Sequence, residues 1–166
     1  VMNSVNHPTQ PKKSQIAITF NEYVVLKDPI NNIFLSPPQK KKPQAKIKGK
    51  SVVVSFQDTL LPNTSYCLYF GESIADNNEG NIFPPLAYSF STGDVIDSIY
   101  MAGTVVDAKT MFPLEKITIL LHTDPGDSAI FNLLPIATAK SDKYGYFAIR
   151  NIKPGRYRVF AIDDKN

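Results

Sequence analysis

Apolar and polar positions alternate in short runs along this chain, and no run keeps a helical period. Ile16, Ile18 and Phe20 alternate with Ala17 and Thr19, the period-two signature of a half-buried strand. Residues 21–25 keep β-formers but shift the alternation, which predicts a bulge or a kink into a second short segment. Asp28-Pro29 ends that segment, because proline donates nothing to a ladder and pushes its predecessor out of helical space. A short strand over 32–36 closes at Pro37-Pro38. Residues 45–47, a turn at Gly49, and Val52, Val54 and Phe56 then read as a hairpin. Tyr66, Leu68 and Phe70 share one face of the next strand and leave Cys67 and Tyr69 on the other. Tyr66 follows a Pro62-Asn63 corner at the strand start, where sandwich folds place a tyrosine that bonds back to the backbone.

The chain is organised around residues 87–108. Tyr88 and Phe90 alternate with Ser89 and Ser91, Thr92-Gly93-Asp94 breaks the run, and a new apolar stretch starts at Ile99. The pattern therefore predicts two domains, 1–94 and 95–166, joined by a short hinge in which Val95 and Ile96 are partly buried. Beyond it come a strand over 99–106 and another β-rich run over 117–122. A turn cluster follows at Asp124-Pro125-Gly126-Asp127, then an apolar run over 130–135 that ends in proline. Further turns at Ser141-Asp142-Lys143-Tyr144-Gly145 and Lys153-Pro154-Gly155 feed strands near 146–149 and 157–162. The expected fold class is all-β, two tandem sandwiches with at most a helical turn or two.

Composition changes little in this picture. Of 166 residues, 43% are hydrophobic and 20% charged, which places the chain among globular proteins. The net charge of +3 is spread out, with nine Lys/Arg against seven Asp/Glu in residues 1–94 and nine against eight in 95–166. That balance argues against a nucleic-acid partner. One cysteine forms no internal disulfide, and no apolar run approaches the ~20 residues of a membrane span. Any membrane attachment is expected through a lipid anchor before Val1, and the second domain is expected to be cut short at Asn166.

Candidate chemistry is sparse. Lys40-Lys41-Lys42 reads as a solvated turn, being short and free of interleaved aromatics. Cys67 has no histidine nearby in sequence to make it a nucleophile. Asp76-Asn77-Asn78-Glu79-Gly80-Asn81 has the oxygen-rich side chains of a calcium loop but lacks the distal glutamate of an EF-hand, and the same residues suit a tight turn. Asp163-Asp164-Lys165-Asn166, with Asp107 or Asp142, offers a second cation loop or simply a strand running into solvent. His7 and His122 lie apart from any zinc-type spacing and read as surface residues. No phosphate loop, nucleophile elbow or dinucleotide fingerprint occurs. The expectation is therefore no catalytic, cofactor-binding or metal residue, no cofactor, and a monomer.

Four segments in order carry a resemblance: Ile18-Thr19-Phe20-Asn21-Glu22-Tyr23-Val24, Leu61-Pro62-Asn63-Thr64-Ser65-Tyr66, Ile74-Ala75-Asp76-Asn77-Asn78-Glu79-Gly80-Asn81, and Tyr88-Ser89-Phe90-Ser91-Thr92-Gly93. Together they resemble the bacterial Ig-like family of the Big_5 type. The resemblance implies an Ig-like sandwich in an exported protein of the outer membrane or cell surface, frequently a lipoprotein, and no activity. Gly103-Thr104-Val105-Val106-Asp107, Pro113-Leu114, Ser141-Asp142-Lys143-Tyr144-Gly145-Tyr146-Phe147 and Ile152-Lys153-Pro154-Gly155-Arg156-Tyr157 resemble the transthyretin-like, carboxypeptidase-regulatory-type sandwich. The expected role is a non-catalytic structural or interaction module of a larger surface protein. The alternative is carbohydrate binding, which would show as exposed coplanar aromatics beside Asp or Asn on a sheet face.

Overall fold

In the computed structural model, which describes residues 15–123, 126 and 129–163, alternation becomes register in the first strand pair. Strand β1 (Gln15–Thr19) runs antiparallel to β5 (Ser51–Ser55). Ile16 lies opposite Val54 and Ile18 opposite Val52, and all four side chains are fully buried. Strand β4 (Gln44–Lys48) takes the other edge of β5 through a turn at Gly49, whose φ of +61° an L side chain adopts only with strain. The shifted alternation after Phe20 is a true break. The chain leaves β1 and starts β2 (Val24–Leu26), which pairs with β7 (Ile74–Asp76). Pro29 opens a single helical turn, α1 (Pro29–Asn32), at the position where a missing N–H costs nothing. The Asn31 amide donates to the Asp28 carboxylate at 2.9 Å.

The third sheet is ordered β3 (Phe34–Ser36), β6 (Ser65–Gly71), β8 (Leu86–Ser91). Its inner face supplies Leu35, Tyr66, Leu68, Phe70 and Phe90, which pack with Ile16, Ile18, Val52, Val54 and Phe56 into one core. The Tyr66 and Phe90 rings stack at 5.3 Å, and Phe56 and Phe90 at 5.7 Å. The central strand β6 is buried on both faces, so Cys67, opposite in facing to Tyr66, is also fully buried.

The chain divides into two compact units at Ile96/Asp97, with Ser36–Pro38 grouped in the second. Val95 is 74% exposed and Ile96 45%, so the expected partial burial of the hinge pair is not found. Neither side chain belongs to either core; before them the Gly93 N–H donates to the Ser91 hydroxyl, and after them the Asp97 carbonyl accepts from the Asn151 amide.

In the second unit β9 (Ile99–Thr104) pairs with β12 (Tyr146–Ile152). Strand β10 (Thr118–His122) lies between β11 (Ala137–Lys140) and β13 (Arg158–Ile162). Ile117, Ile119, Leu121, Ala137, Ala139, Ile149 and Ile152 form its core. The register of β12 against β9 shifts between Ile149 and Ile152. Asn151 takes φ +60° there, and its side-chain amide donates to the Asp97 carbonyl. The apolar run near 130–135 opens as a second helical turn, α2 (Ala129–Asn132), with Phe131 82% exposed. Val159 and Ala161 of β13 lie opposite Leu121 and Ile119, on the core-facing side of the sheet, yet both are exposed. The described residues thus hold thirteen strands and two four-residue helical turns, the all-β architecture of tandem Ig-like β-sandwiches.

Candidate functional site

The polar residues singled out in the sequence hold turns and corners. Residues 61–66 form the corner before β6, and there the Leu61 N–H donates to the Tyr66 phenol oxygen at 2.9 Å. Burial pushes the Tyr66 phenol above its ordinary pKa, against the smaller lowering effect of that hydrogen bond. The Thr92 hydroxyl donates to the Leu61 carbonyl at 2.6 Å, tying the end of β8 to the same corner.

The 76–81 loop closes as a tight turn. One Asp76 carboxylate oxygen, Oδ2, accepts the N–H groups of Asn78 (3.1 Å) and Glu79 (2.6 Å). The Asp76 N–H donates to the Asn81 carbonyl, and Gly80, at φ +73°, donates to the Asp76 carbonyl. Beside the turn is a shallow cleft of about 350 Å³ lined by Glu22, Asp76, Glu79, Asn81, Phe83 and Pro84 among others. Glu22 escapes a reading along the chain, because it reaches the cleft only through the β2–β7 pairing, whereas Phe83 follows the turn directly and its N–H donates to the Ile74 carbonyl. Among the described residues no three carboxylate, histidine or cysteine groups converge as a metal set.

In the second unit Asp107 caps its own loop. Its Oδ1 accepts the N–H groups of Lys109 (3.0 Å) and Thr110 (2.8 Å) and the Thr110 hydroxyl (2.9 Å). Asp142 likewise accepts the N–H groups of Tyr144 and Tyr146. The candidate cation loop at the C-terminal end has only Asp163 inside the described residues, exposed; Asp164, Lys165 and Asn166 lie outside them, as do the 1–14 lead-in with His7 and the turn residues Asp124, Pro125 and Asp127.

The Asp107 bonds have a pH signature. The Thr110 backbone bond, then the Thr110 hydroxyl and the Lys109 N–H, hold its carboxyl below the ordinary aspartate pKa. A depressed folded pKa contributes stability above the unfolded value, lost as pH falls through the folded one. Thermal melting between pH 6 and pH 2 is expected to show a loss below about pH 4 that Asp107→Asn reduces; identical acid limbs for the two proteins would refute the assignment.

His122 corrects its expectation as a surface residue. It is 2% exposed, on the same sheet face as Leu120 and Phe160, edge-on to the Phe160 ring at 5.7 Å. Strand alternation turns it away from Leu121 and the core, and the Phe160 ring of the paired strand β13 packs on it there. The Cys67 sulfur accepts from the Ser89 hydroxyl at 3.9 Å, and Lys40, Lys41 and Lys42 are exposed.

The comparison with protein families decides what the first unit is. Residues 1–92 match the bacterial Ig-like domain. The chain belongs to the bacterial Ig-like family. Comparison with curated proteins and with solved structures gives no match. Bacterial Ig-like domains occur in surface proteins and are typically non-catalytic. The corner tyrosine, the 76–81 turn and the Thr92 tie of this bacterial Ig-like domain all fall within the matched span.

Proposed function

We propose that the chain is a non-catalytic structural module of a larger exported protein, spacing or presenting the domains on either side. In this reading residues 95–166 are a transthyretin-like, carboxypeptidase-regulatory-type sandwich, the module is monomeric, and the setting is the outer membrane or cell surface, with a lipid anchor upstream. One observation carries the reading. The polar side chains that the motifs single out bond the backbone: Tyr66 to Leu61, Asp76 through Oδ2 to Asn78 and Glu79 with Oδ1 left unpartnered, Asp107 to Lys109 and Thr110, Asp142 to Tyr144 and Tyr146. Groups engaged this way build a scaffold. The test is replacement of the chain, within its parent protein, by an unrelated two-sandwich segment of similar length. Surface display and the activity of the neighbouring domains are expected to survive, and their loss would overturn the reading.

A second reading, carbohydrate binding, is favoured by the outer face of the β9–β12 sheet. The register puts Tyr100, Ala102 and Thr104 on that face with Tyr146 and Ala148. Tyr100 is 65% exposed and Tyr146 45%, and they stand roughly 13 Å apart along the strands. Two small alanines lie between them, a flat floor with an aromatic at each end. Glycan binding that Tyr100→Ala and Tyr146→Ala both abolish would establish this reading over the first.

A further inference from the structure

The 40–42 lysine run is one end of a longer feature. Between Pro29 and Gln57 the chain carries six lysines and no Asp or Glu, while the remaining residues carry twelve Lys/Arg and fifteen Asp/Glu. The sequence thus segregates charge, and the fold puts Lys46 and Lys48 on one strand with the 40–42 run leading into it. Strand β4 is the outer strand of its sheet, and Ala45 packs against the core, so Gln44, Lys46 and Lys48 face outward. Across from them on β5 are Ser55, Val53 and Ser51, and beyond those on β1 are Gln15, Ala17 and Thr19. That whole outer face is free of carboxylates. Lys40, Lys41, Lys42, Lys46 and Lys48 are all exposed. Asp58 lies beside the run, its Oδ2 accepting the Lys41 N–H at 2.8 Å. Lys50, at the far end, is engaged: its ammonium donates to the Asn21 carbonyl and lies over the Tyr23 ring.

We infer that this lysine-lined edge and the flat, small-residue face beside it dock the first unit on an anionic phospholipid surface. Charge complementarity selects the partner: five exposed ammonium groups, two on β4 (roughly 16 Å long) and three in the 40–42 run that leads into it, match the phosphates of a headgroup layer. The small side chains of the face let it approach a plane. No aromatic residue lies on it for bases to stack on, which favours headgroups over single-stranded nucleic acid. Lysines on an edge strand also block strand-to-strand aggregation, but that role requires only Lys46 and Lys48 and leaves the 40–42 run unused. The inference rests on charge placement and holds or fails independently of the scaffold role.

The test is co-sedimentation of the 166-residue chain with vesicles of phosphatidylglycerol and phosphatidylcholine, against phosphatidylcholine alone. Binding is expected to the anionic vesicles only, at 0.01 M salt, and to vanish near 1 M as the Debye length falls from about 30 Å to about 3 Å. Lys42→Gln, Lys46→Gln and Lys48→Gln together are expected to weaken it roughly 100-fold, about fivefold per lysine. The same three positions changed to Arg should keep it. A control with Lys109→Gln, Lys116→Gln and Lys143→Gln removes as much charge elsewhere and should leave most of the binding. Equal binding to both vesicles, an equal loss in the control, aggregation of the first triple variant with vesicle binding unchanged, or tighter binding to a DNA duplex than to the vesicles would each overturn the inference.

Discussion

Tyr66→Ala is expected to cost the first unit about 3–5 kcal/mol, the range for truncating a large buried aromatic. Tyr66 is 2% exposed, and its ring is stacked on Phe90 at the centre of the first core. With domain stabilities of about 5–15 kcal/mol, that loss removes much of what holds the unit folded. Tyr66→Phe isolates the hydroxyl. It keeps the ring and leaves the Leu61 N–H without its acceptor, a loss of about 1 kcal/mol, at the low end because Leu61 is itself exposed to water. Urea melts of the three proteins check both values; a Tyr66→Phe protein as unstable as Tyr66→Ala would mean that the hydroxyl, not the ring, holds the corner. The phenol adds an alkaline limb. Burial raises its folded pKa above the ordinary tyrosine value, so its contribution is intact below about pH 10 and lost as pH climbs through the folded pKa. Tyr88 is shifted the same way by its burial, so Tyr66→Phe should reduce that limb without abolishing it.

The comparable weak point of the second unit is Gly145. Its φ is +74°, and a Cβ there would run into the Val105 carbonyl oxygen and come within 3.2 Å of the Pro113 side chain. The approach is close because the Val105 N–H donates to the Gly145 carbonyl at 2.8 Å, which draws the 141–145 turn against the end of β9. Gly145→Ala therefore combines a left-handed backbone, about 1–2 kcal/mol, with a clash against backbone that has nowhere to go, for a total of about 3 kcal/mol or more. Gly49→Ala is the control. It has the same sign of φ but nothing within 4 Å, so only the backbone term applies. If calorimetric or urea unfolding found the two substitutions equally costly, the close approach at Val105 would not be the cause.

How far the fold was legible follows from which forces act locally. Ile16 and Ile18, Val52 and Val54, and Tyr66, Leu68 and Phe70 announce their faces by period two, and each is buried as that period requires. The corner hydrogen bond of Tyr66 was equally legible, because it spans five residues and depends on turn chemistry. Illegible features came from pairing between distant segments. His122 is buried by the neighbours its face acquires in the sheet, and Glu22 joins Asp76 and Glu79 only through the β2–β7 ladder. Val95 and Ile96 misled for the opposite reason, since apolar character alone does not supply something to pack against. The lysine strip was half visible: the 40–42 run stands out in sequence, but its continuation through Lys46 and Lys48 needs the strand that turns them to one side.

The uncovered inner side of β13 has a dynamic consequence. Leu121 and Ile119 are shielded, while Val159 and Ala161, one strand over on the same face, remain in water. Burial is the main term opposing local opening, so the second sandwich is graded in firmness across a single sheet, tightest along β10 and loosest along β13. On this inner face peeling β13 away uncovers little beyond the already wet Val159 and Ala161, and on the other face it parts Phe160 from His122, so its amides exchange with solvent through openings smaller than global unfolding. The last described strand of the chain is thus the seam at which this sandwich begins to come apart.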